Sequence, residues 1–309
     1  MNSIVVIGTV AFDSIKTPLG DAPDVLGGSA TFFSMAASIF TKVQLVAIVG
    51  KDFPEKHIRL FEDHKIDLEG LVRSEGKTFR WTGENEDNMN ARHTLDTQLN
   101  VLLEFQADLP KSYRSTPVVF LANINPDLQL KVLDQLENTK LICCDTMNLW
   151  IANNRQDLEK VLKRVHFFII SEEEAQMLTG DHNIIRGART ILEMGNFSLI
   201  IKRGGYGAIL FTQQNEIFAI PAYPLENVID PTGAGDTFAG GFVGYLAAQG
   251  RIDLAAIQKA MMFGNIAASF CVEGFSVEKL ASLTREMLQT RLREFLRMTH
   301  LHSGTADVE

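Results

Sequence analysis

The chain has 309 residues, 46% of them apolar, and carries a formal net charge of −9. That length buries one large core, or a core with a subdomain, and the acidic balance speaks against a nucleic-acid or anionic-membrane surface. Three cysteines, two of them adjacent, form neither a disulfide framework nor a zinc spacing, so the expected setting is cytoplasmic and the expected partner a small molecule.

The opening "MNSIVVIGTVAFD" has no basic leader region, and no later stretch reaches about 18 uninterrupted apolar residues. "IVVIG" (4–8) reads as a first strand, and Ser29 after Gly27-Gly28 predicts a helix over 29–40. "VQLVAIVG" (43–50) is a second buried strand, and Pro54 opens a helix over 54–64. From about 71 to 105 no helical period appears. Instead "TLDTQLNVLL" (94–103) alternates, with Leu95, Thr97, Leu99, Val101 and Leu103 opposite Thr94, Asp96, Gln98 and Asn100. With "KTFRWTG" (77–83) and part of 10–20 it predicts a small inserted antiparallel sheet, a candidate lid.

Strands at 118–124, 140–145, 166–170 and 198–205 then alternate with helices at 127–137, 172–179 and 183–194. Past residue 233 the chain is helical, over 235–249, 253–270 and 276–298, the last with a stripe of Leu280, Leu283, Met287, Leu292 and Phe295. Continuous apolar strands separated by helices indicate a doubly wound α/β fold, a mostly parallel sheet with helices on both faces. A single domain over 1–309 with a polar tail at 300–309 is expected, and no repeat occurs.

"DPTGAGDTFAGG" (230–241) places four glycines and two aspartates before an apolar helix. A helix N-terminus offers unpaired N–H groups and partial positive charge, and glycines let an anion approach them. The stretch lacks the lysine of a G-x-x-x-x-G-K-[ST] loop and is not G-x-G-x-x-G. An acid inside an anion cradle suits a base for a hydroxyl attacking a phosphate, with Gly233, Ala234 and Gly235 amides stabilising the transferred group. By spacing alone, Asp236 serves equally as a carboxylate favoured by the helix dipole.

"DPTGAGDTFAGGF" resembles the C-terminal signature of the ribokinase-like, PfkB-type carbohydrate kinases. The likeness extends over "GGSATFFSMAASIF", "VAIVGKDFPEKHIRLFEDHKIDLEGL" and "GNIAASFCVEGFSVEKL". It implies a kinase moving the γ-phosphoryl of ATP, with Mg²⁺, to a hydroxyl, commonly a CH₂OH. Carried over residue by residue, it implies Asp236 as catalytic base with Gly233, Ala234 and Gly235 as anion hole, and Asp13 binding substrate hydroxyls beside Gly27 and Gly28. It nominates Lys202, Gly204, Gly207 and Asn265 for the nucleotide, and Glu174 for magnesium through water. Asp230, Thr232, Val272, Gly274 and Ser276 match positions where many members hold a monovalent cation, usually K⁺.

Two departures stand out. Ser171 replaces the asparagine of the family's Asn-x-x-Glu motif, and metal binding through water is expected to persist in weakened form. Phe32 stands where an asparagine often follows the early Gly-Gly pair, removing a sugar contact. Phe12, Phe32, Phe79 and Trp81 are candidate aromatic surfaces for a nucleobase or a sugar face, Arg80 and Arg92 candidates for a substrate phosphate, and Asn148 in "DTMNLW" a substrate-site candidate. The expected acceptor is a sugar, with a nucleoside or a non-catalytic sensor as alternatives. Two copies pairing through the lid is the expected assembly, if any.

Overall fold

The computed structural model describes residues 3–86 and 92–299, without the Arg92 side chain. The chain runs β1 (Ser3–Ile7), β2 (Ala11–Thr17), β3 (Gly20–Gly27), α1 (Ser29–Ser38), β4 (Lys42–Gly50), α2 (Glu55–Asp63), β5 (Ile66–Ser74), β6 (Arg80–Asn85) and β7 (Arg92–Gln98). It continues through β8 (Val118–Leu121), α3 (Pro126–Gln135), β9 (Leu141–Cys144), α4 (Asn148–Asn153), α5 (Arg155–Leu162), β10 (Phe167–Ser171), α6 (Glu172–Thr179), α7 (Ile184–Leu192) and β11 (Ser198–Lys202). Then come β12 (Ala208–Phe211), β13 (Ile217–Ile220), α8 (Ala234–Gln249), α9 (Leu254–Cys271), α10 (Glu278–Ala281) and α11 (Arg285–Thr299).

Among the described residues nine strands form one sheet, ordered β13-β12-β11-β10-β9-β8-β1-β4-β5, and parallel from β11 through to β5. β12 and β13 join antiparallel at one edge. Period-two alternation divides the core. Ile4 and Val6 of β1 pack with α1, α8 and α9 on one face, while Val5 and Ile7 pack with α3, α5, α6 and α7 on the other. α9 is long and apolar enough to cross a membrane; it spends that surface in the core, where a Cβ on Gly264 would come within 2.6 Å of the Phe238 carbonyl of α8.

The winding reverses at β1: β4 and β5 are added on one side, β8 to β11 on the other. Such a reversal opens a crevice at the carboxyl ends of the strands. Thr9 after β1, Asn123 after β8 and Met147 after β9 all line a cavity there.

A second sheet, ordered β3-β2-β6-β7, covers this crevice. It differs from the expected insert in three ways. Residues 71–74 belong to β5 of the large sheet, β3 contributes a full strand, and β2 pairs with β6 in parallel. The alternating strand also stops at Gln98, and Asn100–Glu104 turns into a 3-10 helix with Asn100 at φ 48°. The helix expected at 276–298 breaks into α10 and α11 because Thr284 caps the second piece, its Oγ1 accepting the Met287 N–H at 3.3 Å. α4 and α5 were not foreseen.

Phe12 does not belong to the cavity wall. Asp13, its neighbour in β2, lines the cavity, so Phe12 points to the opposite face and packs on Phe53 and His57 of the body at ring distances of 5.7 and 6.0 Å. Arg80 is likewise spent on the fold rather than on a substrate phosphate. Its guanidinium lies 4.8 Å above the Phe12 ring, bonds Asp52 at 3.1 Å and pairs with Asp24.

Burial, and then the Lys56 charge, push His57 down to about 4. A histidine lowered from 6.5 in the unfolded chain contributes stability that is complete above pH 6.5 and lost as pH falls from there through about 4. Melting between pH 7 and pH 4 should therefore show an acid-sensitive step that His57→Leu reduces. An equal acid response in the variant would refute the assignment.

Candidate active site

The crevice is a cavity of about 800 Å³. Asp13, Gly28, Phe32, Asn148, Thr232, Gly233 and Asp236 line it, as do Phe79, just before β6, and Trp81 of β6. The structure thus brings most of the expected acceptor-side residues to one space.

Asp236 lies in the first turn of α8, whose N-cap Gly233 is left-handed, at φ 77°. A Cβ on Gly233 would strike the Phe32 ring at 2.4 Å. Phe32 is therefore a packing partner of the turn as well as a cavity wall. The Ala234 N–H, expected in the anion hole, already donates to the Pro231 carbonyl at 3.2 Å. Asp13 is 6% exposed and sits directly over Gly27: a Cβ there would be 1.9 Å from its Oδ2. Gly27 is a glycine to make room for that carboxylate, and Gly28 bends the chain at φ 96° against the Thr9 carbonyl.

Beside α8 the ends of β9, β10 and β11 place a charged cluster. The Lys202 ammonium bonds Asp145 at 3.2 Å, and the two side chains are 17% and 5% exposed. A Cβ on Gly235 would come within 2.9 Å of that ammonium. Burial works against the lysine's charge, but Asp145, Glu174 and Asp236 together hold its pKa above the ordinary value. Burial first, then Asp145, pushes Glu174 up to about 7, and burial also raises Asp145. Lys202 is thus a buried group beside the α8 turn, not a solvated strand end. Asp145 was missed, although it opens the quoted "DTMNLW"; an acid closing an apolar strand was the available signal.

Ser171 caps α6. Its hydroxyl accepts the Glu174 N–H at 3.1 Å, and Glu174 Oε2 accepts the Ser171 N–H at 2.7 Å. The pattern S-x-x-E is a capping box, and serine and asparagine are near-equal caps, so the departure at Ser171 preserves the turn that holds Glu174. Ser171→Ala should cost about 1 kcal/mol in a denaturant melt, and Ser171→Asn much less; equal losses would remove the cap from the explanation.

Other nominated residues also make contacts within the scaffold. Gly207 approaches β13 so closely that a Cβ would meet the Ile220 carbonyl at 2.0 Å. Gly204 starts an exposed 3-10 turn at φ 53°. The Asn265 amide donates to the Pro221 carbonyl at 3.2 Å, tying the loop after β13 to α9. Asp230 accepts the Thr232 N–H at 2.9 Å, and the Val272 carbonyl, expected at a cation, accepts N–H groups from Ile229 at 2.8 Å and Asp230 at 3.3 Å. Gly274 is buried, and the Ser276 hydroxyl donates to the Leu26 carbonyl. Among the described residues no three His, Cys, Asp or Glu side chains group as a metal cage.

The expected alternation, with Thr94 on the side of Asp96 and Gln98 and opposite Thr97, does not hold through β7. Thr82 pairs with Asp96 and Gly83 with Thr94, so Leu95 is an extra residue in a bulge. Thr94 and Thr97 thereby share the cavity side, Thr94 accepting the Trp81 ring N–H at 3.2 Å, while Asp96 and Gln98 bond each other outside. Opposite them Asn123 accepts the Trp150 ring N–H at 2.8 Å.

A family model described as the pfkB family carbohydrate kinase matches residues 1–281. The chain belongs to the PfkB family. Like other PfkB carbohydrate kinases it is a phosphotransferase that acts on a sugar or nucleoside hydroxyl. It is 30% identical over 251 residues to a cytidine kinase of Thermococcus kodakarensis, covering 79% of this chain and 88% of that one. The nucleoside kinase of Methanocaldococcus jannaschii, an archaeal member of the ribokinase family, has the same fold at a TM-score of 0.78 and 22% identity, over 95% of this chain and 99% of that one. A putative ribokinase from E. coli, solved with ATP and Mg²⁺, superposes with a TM-score of 0.77 at 18% identity, over 95% of this chain and all of the other.

Proposed function

We propose that this PfkB-family protein phosphorylates a nucleoside, using ATP with Mg²⁺. One observation carries the reading: Asp13 and Asp236 line a single cavity of about 800 Å³ that is walled beyond them by Phe79 and Trp81. Pockets of about 300–1,000 Å³ take drug-sized ligands, so space remains past a pentose, and it is aromatic, as a base requires. The cytidine kinase and nucleoside kinase relatives support the same choice.

Asp13 would accept hydrogen bonds from ribose hydroxyls. Asp236 would take the proton of the attacking hydroxyl as its oxygen bonds to the γ-phosphorus, while the bond to the β–γ bridging oxygen breaks and ADP leaves. The Gly233 and Gly235 amides would meet the transferred group, while the Ala234 N–H stays on the Pro231 carbonyl. Mg²⁺ fits as a hard cation that arrives with the phosphates, since one or two carboxylates plus water suffice for it, and Glu174 would hold it through water. Closure of the small sheet would keep water from the reacting phosphoryl group. The monovalent-cation group around Asp230 would act from beneath the same turn, and K⁺ against Na⁺ in the assay tests it. Pairing of two copies through the small sheet finds modest support in Leu95, 59% exposed at the bulge, and sedimentation tests it.

The decisive measurement is ADP release over cytidine, adenosine, inosine, ribose and fructose. Turnover is expected on a nucleoside at lower KM than on any free sugar. Preference for a free sugar would overturn the nucleoside reading.

A further inference from the structure

Asp145 and Lys202 lie outside the cavity wall that Asp13 and Asp236 share. Asp145 follows β9, and both of its carboxylate oxygens are engaged. Oδ1 accepts the Thr146 N–H at 2.8 Å and Oδ2 accepts from the Lys202 ammonium at 3.2 Å. Its backbone is fixed as well. The Asp145 N–H donates to the Leu121 carbonyl at 2.9 Å. The side-chain amide of fully buried Gln129 donates to the Asp145 and Ala122 carbonyls at 3.2 and 3.0 Å, clamping the ends of β8 and β9 together. The carboxylate is therefore preset in direction before any ligand arrives.

Lysine is the opposite kind of group, a point charge on a flexible four-carbon stem. Lys202 leaves the end of β11 and reaches the turn opening α8, where its ammonium lies beside Gly235. The Asp145 carboxylate bonds it, and those of Glu174 and Asp236 also favour its charge. Pairing with Asp236 would cover the oxygen that must receive the hydroxyl proton. Pairing with Asp145 keeps the ammonium charged and holds it beside the Gly235 turn. A lysine has three N–H donors, and the Asp145 bond uses one, which leaves donors for an anion at the Gly235 turn.

We propose that Asp145 is a positioning residue for phosphoryl transfer: it aims the Lys202 ammonium at the Gly235 turn, where the lysine neutralises charge on the phosphoryl group as it passes to the acceptor. This rests on the reading of Asp236 as the base at that turn. Preset donors aimed at developing charge are worth most where water is excluded, and the small exposure of both side chains supplies that condition. A stabilising ion pair would be a poor alternative account, because buried pairs contribute little net stability over apolar residues of equal volume.

A double-mutant cycle on kcat separates the two accounts. Asp145→Asn should lower kcat about 10²-fold, the scale for one lost oxyanion donor, with both KM values moving by less than about 3-fold, as for an interaction made only in the transition state. The affinity for ADP with aluminium fluoride should fall in parallel with kcat while that for ATP holds. Asp145→Asn combined with Lys202→Met should be no slower than Lys202→Met alone. Additive losses, or a loss confined to KM, would overturn the proposal. If Asp145→Asn does not fold, Asp145→Glu, which keeps the charge but displaces the ammonium, takes its place; a wild-type kcat in that variant would equally overturn it. Failure of the base reading is distinct, since it appears as undiminished turnover in Asp236→Asn while the cycle remains measurable.

Discussion

Asp236→Asn should lower kcat by about 10³-fold, within the range of about 10²–10⁴ that a positioned general base contributes, with acceptor and ATP binding retained. The side chains are nearly equal in size, and Asp236 stands in the first turn of α8, where loss of the carboxylate removes at most about 1 kcal/mol of helix-dipole interaction. A fall in turnover without a matching fall in melting temperature is therefore the expected result. Steady-state kinetics with isothermal titration of ATP reads both, and near-normal turnover in the variant would sink the base assignment.

Gly27→Ala should be the second largest effect, on the acceptor side. The new methyl would be placed 1.9 Å from Asp13 Oδ2, 2.3 Å from its Cγ and 2.9 Å from its Oδ1. No rotation of one carboxylate relieves all three, so the Asp13 side chain must leave its position. A misplacement of about 1 Å in a substrate-holding group costs about 10²-fold in catalytic efficiency, and the loss should appear mainly as a raised acceptor KM. ATP affinity should be unchanged, because neither residue belongs to the α8 turn or the Lys202 cluster. Equal acceptor KM in wild type and Gly27→Ala would mean that Asp13 does not hold the acceptor.

Much of this architecture is legible in the chain because a parallel sheet buried on both faces writes continuous apolar runs. "IVVIG", "VQLVAIVG" and "SLIIKRGG" gave three of its strands to within a few residues. The glycine-aspartate turn was legible through its likeness to a kinase signature, since its spacing alone fits a helix-dipole carboxylate equally well. Asp145 was hidden because a single acid at a strand end looks like any chain reversal; its meaning comes from Lys202, 57 residues later. The face of β7 was misjudged because strict alternation has no way to announce an extra residue, and Leu95 fits the apolar side of the pattern perfectly well. Phe12 was misassigned from proximity: being next to Asp13 in a strand is what sends it to the other side.

The extra residue in β7 also bears on how acceptor preference changes over time. A strand with one inserted residue can lose it in a single deletion, and such a loss would turn residues 92–94 over relative to 96–98. Thr94 would leave the Trp81 ring, and the wall facing the acceptor would change its chemistry without any substitution in the phosphoryl-transfer turn. On the nucleoside reading, an insertion or deletion in the covering sheet thus alters one wall of the acceptor space while leaving the phosphoryl-transfer turn as it is.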